Sequence, residues 1–388
     1  MRIVDIRETA VPINSQISNS SFDFSEMTTS VVAVITDVKR DGRRVVGFAF
    51  NSTGRYACGA QMRARFIPRI LSAKPDSLLD ARAENFDPEK ILACMMQREK
   101  AGGHSERSIP IGTIEVAVWD AVAKIAEQPL HRVLAERYSA GKQADRVFCY
   151  VGGGWYAPGQ TFADVQDEMR RHLDAGYTMV KMKVGGLPLA EDVRRVAAVL
   201  EVVAARGRLA VDANCKFGRD EALAYAEALA PLGLAWFEEP CDPLDYALTA
   251  EIAAAYAPPL ATGENLFSTP DVENLVRFGA LRADRDIIQI DPPQSYGIVQ
   301  FARTVAMLER HGWKRTSLFP HGGNQMSLHI AGGFGLGGAE SYPGVFGAFG
   351  GFADDAVLTN GYLDLPDRPG IGFEAQDALY KIMRELAA

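Results

Sequence analysis

Three acidic residues stand at the ends of three successive apolar runs, at equal intervals. Asp212 closes RLAVDAN, Glu238 closes LAWFEEP and Glu264 closes PLATGEN, with 26 residues from each acid to the next. The rhythm reaches back to Lys181 and Lys183 in VKMKVGG, and forward to Asp291 in IIQIDPP and His321 in SLFPHGG. A strand, a loop, a helix and a return loop use about that many residues in a (β/α) barrel, whose eight units fill roughly 250 residues. Side chains at the C-terminal ends of barrel strands converge on one mouth. A doubly wound open sheet shows the same alternation but gathers its site at a single switch point. Functional residue types at strand end after strand end therefore favour a closed barrel.

The rest of the chain frames that barrel. From about residue 145, beginning with VFCYVGGG, apolar strands alternate with helical stretches, as a parallel sheet covered on its outer face requires. Before it, RIVDIRETAV, SVVAVITDV and RRVVGFAFN read as an antiparallel meander. AQMRARFIPRILSA, PEKILACMMQREK and GTIEVAVWDAVAKIAEQ read as helices, the last with Ile114, Val118, Val122 and Ile125 at helical spacing and a stop before Pro129. The expected division is an α+β domain over 1–125, a barrel over 126–350, and a segment 351–388 that returns to the first domain. Three polar stretches, 14–25, 51–59 and 100–107, read as irregular loops, either lids or solvated turns.

Bulk properties narrow the function. Of 388 residues, 47% are hydrophobic and 23% charged, as in an ordinary globular enzyme. A formal net charge of −8 argues against a nucleic-acid partner, which calls for a basic face. Five scattered cysteines without CxxC spacing argue against a disulfide framework or a structural zinc site. The N-terminus alternates like a strand and has no apolar core of a signal peptide, and no apolar run approaches membrane-spanning length. A cytoplasmic protein with no membrane partner is the expectation.

The ladder residues imply chemistry. Asp212, Glu238 and Glu264 pointing into one mouth would repel one another without a cation, and an all-oxygen set favours a hard ion, Mg²⁺ above Mn²⁺ or Ca²⁺. One acid at a strand end is ordinarily a loop or cap residue; three at equal spacing are not. Lys181 and Lys183, two apart on a strand, face the same side. A lysine beside another cation loses proton affinity and can serve as a base. Asp291 can orient the imidazole of His321, and Gly322-Gly323 allows a close approach there. Neither Gly152-Gly153-Gly154 nor the run from Gly332 to Gly338 is a dinucleotide fingerprint, and no Walker loop or GxSxG elbow is present. Met95-Met96 reads as core.

In this order, VKMKVGG, AVDAN, WFEEP, ATGEN, QIDPP and PHGG resemble the enolase superfamily, in its mandelate racemase-like branch. The likeness covers nearly the whole chain. It implies a capping domain over a modified (β/α)₇β barrel, Mg²⁺ held by Asp212, Glu238 and Glu264, and removal of the proton α to a substrate carboxylate. It implies Lys183 as one base, His321 with Asp291 as the acid/base on the opposite face, Lys181 as a residue that helps hold the substrate carboxylate and tunes Lys183, and Glu340 in GGAESYP as an acid hydrogen-bonded to the substrate carboxylate. Within the branch, MTTSVVAVITDV, VVGFAFNSTGRY, EKAGGHSERS, DPLDYAL and GIGFE are similar to the D-tartrate dehydratases. That similarity implies dehydration of a hydroxy-diacid or acid sugar, with D-tartrate to oxaloacetate as the leading expectation. It adds Asn214, Asn19, Lys100 and Thr53 as substrate contacts, the Asn19 and Lys100 side chains at the distal carboxylate. The chain departs from the tartrate pattern at Thr53, Pro240-Cys241, Pro292-Pro293 and Asn324, where that pattern has Asn, Val-Gly, Cys-Ala and His. The alternatives are a racemase or epimerase using the same two bases, and a silent metal-binding homologue, which should have lost a ligand or base. A homo-oligomer acting on a small carboxylate is the expected assembly.

Overall fold

The computed structural model describes residues 1–142, 144–205 and 207–388. The three alternating runs form an antiparallel sheet in the order β1 (Ile3–Pro12), β2 (Thr28–Arg40) and β3 (Arg43–Phe50). Asp41 and Gly42 take φ of 49° and 76° between β2 and β3. Positive φ at both central residues is the hairpin geometry that matches strand twist, and Asp-Gly adopts it readily. Against this sheet packs the helix His104–Ile125, which is buried on nearly all sides. A helix apolar all round belongs in a core, and this one lies between the sheet and the barrel.

Two expectations shift here. The helical run over 60–73 contains a π turn, Met62–Phe66, just before Ile67–Ser72. Pro68 cannot donate to the carbonyl four residues back and its ring crowds it, so the ladder widens upstream. The polar stretch 100–107 is irregular only through Gly103. His104 to Arg107 are helical, with Glu106 in the first turn, where the helix dipole favours an acid. Arg107 Nε donates to Tyr296 Oη at 2.8 Å, which ties this turn to the barrel side.

The barrel strands run in parallel in the order β4 (Arg146–Gly153), β5 (Met179–Lys183), β6 (Arg208–Asp212), β7 (Phe237–Glu238), β8 (Leu260–Thr262) and β9 (Ile287–Ile288). The next stave, SLFPH, joins β9 through the parallel bridge Ile288↔Leu318 and the bonds Phe319 N–H to Ile288 O and His321 N–H to Ile290 O, and accepts Gly337 N–H at the Leu318 carbonyl on its other side. Pro320 has no N–H to donate, which interrupts the ladder there. β10 (Ala339–Ser341) then pairs in parallel with β4 and closes the wall. The modified (β/α)₇β barrel is therefore the fold. Tyr150, Met179, Ala210, Trp236, Ala261 and Phe319 fill its floor, with Trp236 edge-on to Tyr150 at 5.1 Å.

The C-terminal segment divides its contacts. β11 (Leu358–Thr359) and β12 (Tyr362–Asp364) form a hairpin whose second strand pairs antiparallel with the start of β4, while the helix Asp377–Ala387 packs on β1 and β2. All five cysteines are free. Among the described residues no helix is long and apolar enough to cross a membrane.

One buried carboxyl joins cap to barrel. Glu115, in the middle of the helix His104–Ile125, accepts the N–H groups of Ile298 and Val299 at 2.7 and 2.9 Å and the Trp119 indole N–H at 2.8 Å. Those two amides open the helix Ile298–Arg310 and have no partner within it. Burial pushes the Glu115 carboxyl up to about 7, against the pull of these donors. Three residues earlier, a Cβ on Gly112 would stand 2.2 Å from the Pro293 carbonyl oxygen, so only glycine lets the helix come this close. Glu115→Ala leaves two buried amides and an indole unpaired, and should lower the unfolding free energy by about 3 kcal/mol in denaturant titration.

A second buried contact responds to acid. His131 and His329 lie with ring centroids 5.3 Å apart, and His131 N–H donates to His329 Nδ1 at 3.2 Å. His131 Nδ1 has no hydrogen-bond partner among the described residues. Burial, with Arg132 adding to it, lowers His131 to about 4; burial and His131 lower His329 to about 3. The unfolded chain takes up these protons near pH 6.5 while the folded one refuses them. The stability they permit is complete above about pH 6.5 and declines as pH falls toward 4. In His329→Gln the acid-side slope of unfolding free energy against pH should lose about one proton relative to the parent. An unchanged slope would show that the pair does not titrate on unfolding.

Candidate active site at the barrel mouth

Register builds the site. On β5, Lys181 and Lys183 point inward while Met182 faces the surrounding helices, the alternation of any strand. Lys183 pairs in register with Asp212 on β6, and Asp212 with Glu238 on β7. In parallel strands such neighbours share a face, so three charged side chains stand side by side at the rim. Glu264 follows β8 by two residues, and Asp291 and His321 lie just beyond β9 and Leu318. Glu340, in the middle of β10, completes the ring.

Lys181 is the hub. Its Nζ lies 2.5 Å from Glu238 Oε1, 2.7 Å from Glu340 Oε1 and 3.3 Å from Asp212 Oδ2, with 1% of its side chain exposed. Burial works against its charge, but Glu238 and Glu340 outweigh it and hold its pKa well above the ordinary value. Glu238 Oε2 also accepts from the Trp236 indole at 2.7 Å and from Gln289 at 2.8 Å, which fastens it to the barrel floor. Burial, with Asp212 and Glu340 nearby, still leaves Glu238 pushed up to about 7 despite Lys181. Asp212 goes the other way: burial opposes its charge, but Lys183, 2.5 Å away, and Lys181 hold its carboxyl below the usual range. Lys183 Nζ also sits 4.6 Å above the Trp155 ring. The Asn214 backbone and side-chain amides both donate to Asp212.

His321 faces the lysines from across the mouth. Nδ1 is 2.8 Å from Asp291 Oδ2, and Nε2 is 3.4 Å from Glu264 Oε2 and 3.8 Å from Glu340 Oε2. Burial lowers its proton affinity, but Glu264 and the Asp291 hydrogen bond raise it to about 10. Asp291 also accepts from Gln294 N–H in the Pro292–Gln294 turn. Gly323 is needed for a side chain rather than a ligand: a Cβ there would stand 2.3 Å from the Tyr342 ring. Tyr342 in turn donates to Glu340 Oε1 at 2.6 Å.

Two cap loops cover the mouth. In the 14–25 loop, Ser20 and Ser21 hydroxyls donate to the Ala213 and Asn214 carbonyls, and Phe24 packs on Trp155 and Phe346. From the 51–59 loop, the Thr53 carbonyl accepts from Gln294 Nε2 at 2.9 Å. Asn19, Thr53, Arg55, Lys183, Asn214, Glu264 and His321 line one small cavity of about 30 Å³, and Phe22, Arg55 and Asn214 also line a cleft of about 870 Å³ beside it. The Asn19 side-chain oxygen is occupied, accepting from Ser21 and Phe22 N–H. Lys100 is different: it is exposed and lines neither cavity, although its neighbours Ala101 to Ser105 border the larger one. Its place in the loop leaves its ammonium in water, where no burial of partner surface repays ordering it.

Sequence reading missed several residues that crowd this mouth. Glu239 is buried, takes φ of 43°, and accepts Asn265 Nδ2 on both oxygens at 2.8 and 2.9 Å. Burial and its neighbours Glu264 and Asp212 raise its pKa well above the ordinary value. The acidic doublet in WFEEP was its only signal. Arg55, Trp155 and Tyr342 carried none.

The donor set fits a divalent cation. Asp212, Glu238, Glu239, Glu264, Asp291 and Glu340 set six carboxyl groups against Lys181, Lys183 and His321, and every acidic donor is an oxygen. A hard divalent ion suits that composition. Among the described residues no three such groups already converge on one point. Lysines hold the oxygens of Asp212 and Glu238, and His321 lies against Glu264.

Known proteins resemble this chain in sequence and fold. Residues 164–379 match the family described as enolase C-terminal domain-like. The chain is 31% identical over 350 residues to L-talarate/galactarate dehydratase of Salmonella typhimurium, covering 89% of this chain and 81% of that one. It is 33% identical to 3,6-anhydro-alpha-L-galactonate cycloisomerase of Streptomyces coelicolor, covering 76% and 77%. Among solved structures, a racemase from Streptomyces coelicolor with bound magnesium superposes with a TM-score of 0.77 at 25% identity over 99% of both chains. A mutant L-talarate/galactarate dehydratase liganded with Mg and L-glucarate gives 0.77 at 26% identity, over 98% of this chain and 90% of that one. Sequence and fold agree over nearly the full length, and the chain belongs to the enolase superfamily, in its mandelate racemase/muconate lactonizing enzyme group.

Proposed function

We propose that this chain is a Mg²⁺-dependent dehydratase of acid sugars or hydroxy-diacids, with D-tartrate to oxaloacetate as its most specific reading. The observation that carries the proposal is the pair Lys183 and His321, which line one cavity from opposite strands with carboxylates between them. The acid-sugar dehydratases among its relatives favour elimination, and the stretches of sequence that resemble D-tartrate dehydratases favour the diacid.

The chemical problem is the weakness of a carbon acid beside a carboxylate, since removing its proton adds charge to a group already charged. Asp212, Glu238 and Glu264 are the residues that would hold Mg²⁺, and the ion supplies Lewis-acid stabilisation of that charge when bound. Lys181 addresses the substrate carboxylate by charge, and Glu340 would donate a hydrogen bond to its oxygen once it has taken up a proton. Lys183 takes the α-proton on one face. On the other, Asp291 holds Nδ1 of His321, which leaves Nε2 toward the cavity to protonate the departing β-hydroxyl. The enol so formed tautomerises to a 2-keto acid. Thr53, Asn214 and Asn19 would contact the remainder of the substrate. The cavity of about 30 Å³ is smaller than any such acid, so the cap loops must open to admit one.

The same pair of bases could instead racemise, the reading favoured by the magnesium-bound racemase among the structural neighbours. Measuring optical rotation and 2-keto acid together separates the two. Loss of rotation without keto acid sinks the dehydratase.

Lys183→Met should lower turnover by roughly 10²- to 10⁴-fold and abolish solvent-deuterium exchange at the α-carbon, whereas His321→Asn should lose keto acid formation yet keep exchange. Retained exchange in Lys183→Met rules out Lys183 as the sole base on that face. Chelation should remove activity and added Mg²⁺ should restore it, with Ca²⁺ restoring less because its looser, larger coordination suits the site poorly. Full activity after exhaustive chelation would remove the metal from the proposal.

A further inference from the structure

We propose that Arg55 receives a second anionic group at the far end of the substrate, so that this site selects sugar diacids over the matching mono-acids. The inference rests on the dehydratase reading and adds to it a residue that decides substrate class.

Position is the first argument. Arg55 lines both the small cavity that holds Lys183 and His321 and the large cleft beside it. An acid bound by its reacting carboxylate near Lys181 must run its remaining carbons toward that junction, because the barrel floor is filled by Tyr150, Trp236 and Phe319. Lys183 and Arg55 are the lysine and the arginine among the residues lining the small cavity.

Charge is the second argument. The cations at the inner end are each committed to carboxylates: Lys181 to Glu238 and Glu340, Lys183 to Asp212. Arg55 is not. Among the described residues its hydrogen bonds go to uncharged oxygens, the Gly54 carbonyl at 3.2 Å and the Asn265 side-chain oxygen. A half-buried guanidinium at the junction of two cavities that makes no ion pair among the described residues can take a carboxylate, which it can grip with two parallel N–H groups.

Preorganisation is the third. The guanidinium lies 5.2 Å above the Phe267 ring, and Asn265 is itself held by two bonds to Glu239. Arg55 therefore points its remaining N–H groups without a large ordering cost on binding. Lys100, expected with Asn19 to meet the distal carboxylate, has none of this support. Asp242 and Asp271 line the same cleft, and an anion that entered it would meet their carboxylates.

The test compares galactarate with galactonate and D-tartrate with D-threonate, each pair differing only in the distal group, in parent, Arg55→Met and Arg55→Lys enzymes with Mg²⁺. Arg55→Met should raise KM for the diacids about tenfold or more and leave the mono-acids within about twofold, with Arg55→Lys between. Thermal melting of each variant shows whether it is folded. Equal changes for diacid and mono-acid, or a parent enzyme that prefers mono-acids, overturn the assignment. If the parent neither dehydrates nor exchanges any of the four acids, the dehydratase reading has failed. Arg55 is then judged by calorimetric binding of the same acids with Mg²⁺, where only diacid affinity should fall in Arg55→Met, and unchanged diacid affinity overturns it.

Discussion

Lys181 holds the mouth of the barrel together. Buried carboxylates at strand ends repel one another and lose hydration, and each would shift toward its neutral form without compensation. One ammonium touching Glu238, Glu340 and Asp212 offsets much of that repulsion from the centre of the ring. The arrangement is possible only because the strand register sets Lys183, Asp212 and Glu238 side by side, with the β10 acid closing from the other edge. A one-residue slip on any of these strands would turn its charged group into the apolar layer under the helices. The crowded oxygen donors suit the mouth to a hard divalent cation.

The cap depends on that barrel and the barrel on the cap. Glu115 reaches from the central cap helix to the opening amides of the helix Ile298–Arg310, directly after the Pro292–Gln294 turn that Asp291 caps. The same helix crosses that turn at glycine distance. Thus the element that positions the orienting acid of His321 is gripped from both domains. The 51–59 loop leads directly out of β3 of the cap, and the cap sheet is in turn backed by the C-terminal helix. Loop placement, and with it what the pocket admits, is a property of the whole chain.

Much of the barrel was legible because period and position speak together. Apolar runs of strand length, ended by acids at a fixed interval, leave few alternatives to a closed parallel wall. SLFPHGG was legible as a stave by the same rhythm, although its proline keeps it from forming a regular strand. What the one-dimensional pattern concealed were residues whose importance arises from neighbours distant in sequence. Arg55 has no periodic context, and its role depends on Asn265 and Glu239 across the mouth. Lys100 shows the reverse: a cation in a suggestive loop, left in solvent by the path of the backbone. The start of the long cap helix was hidden because Ser-Glu-Arg-Ser reads as polar loop, yet its Arg107 finds a buried tyrosine.

The amino-acid sequence alone determined the barrel, the order of the charged residues around it and the all-oxygen character of their donors, since these follow from local spacing and residue chemistry. Tertiary structure decided which charges neutralise each other, that Arg55 makes no ion pair among the described residues, and which loop side chains reach the cavity. Those outcomes turn on distances of a few ångströms between segments far apart in the chain, and electrostatic energy at such distances is governed by burial that no local pattern encodes.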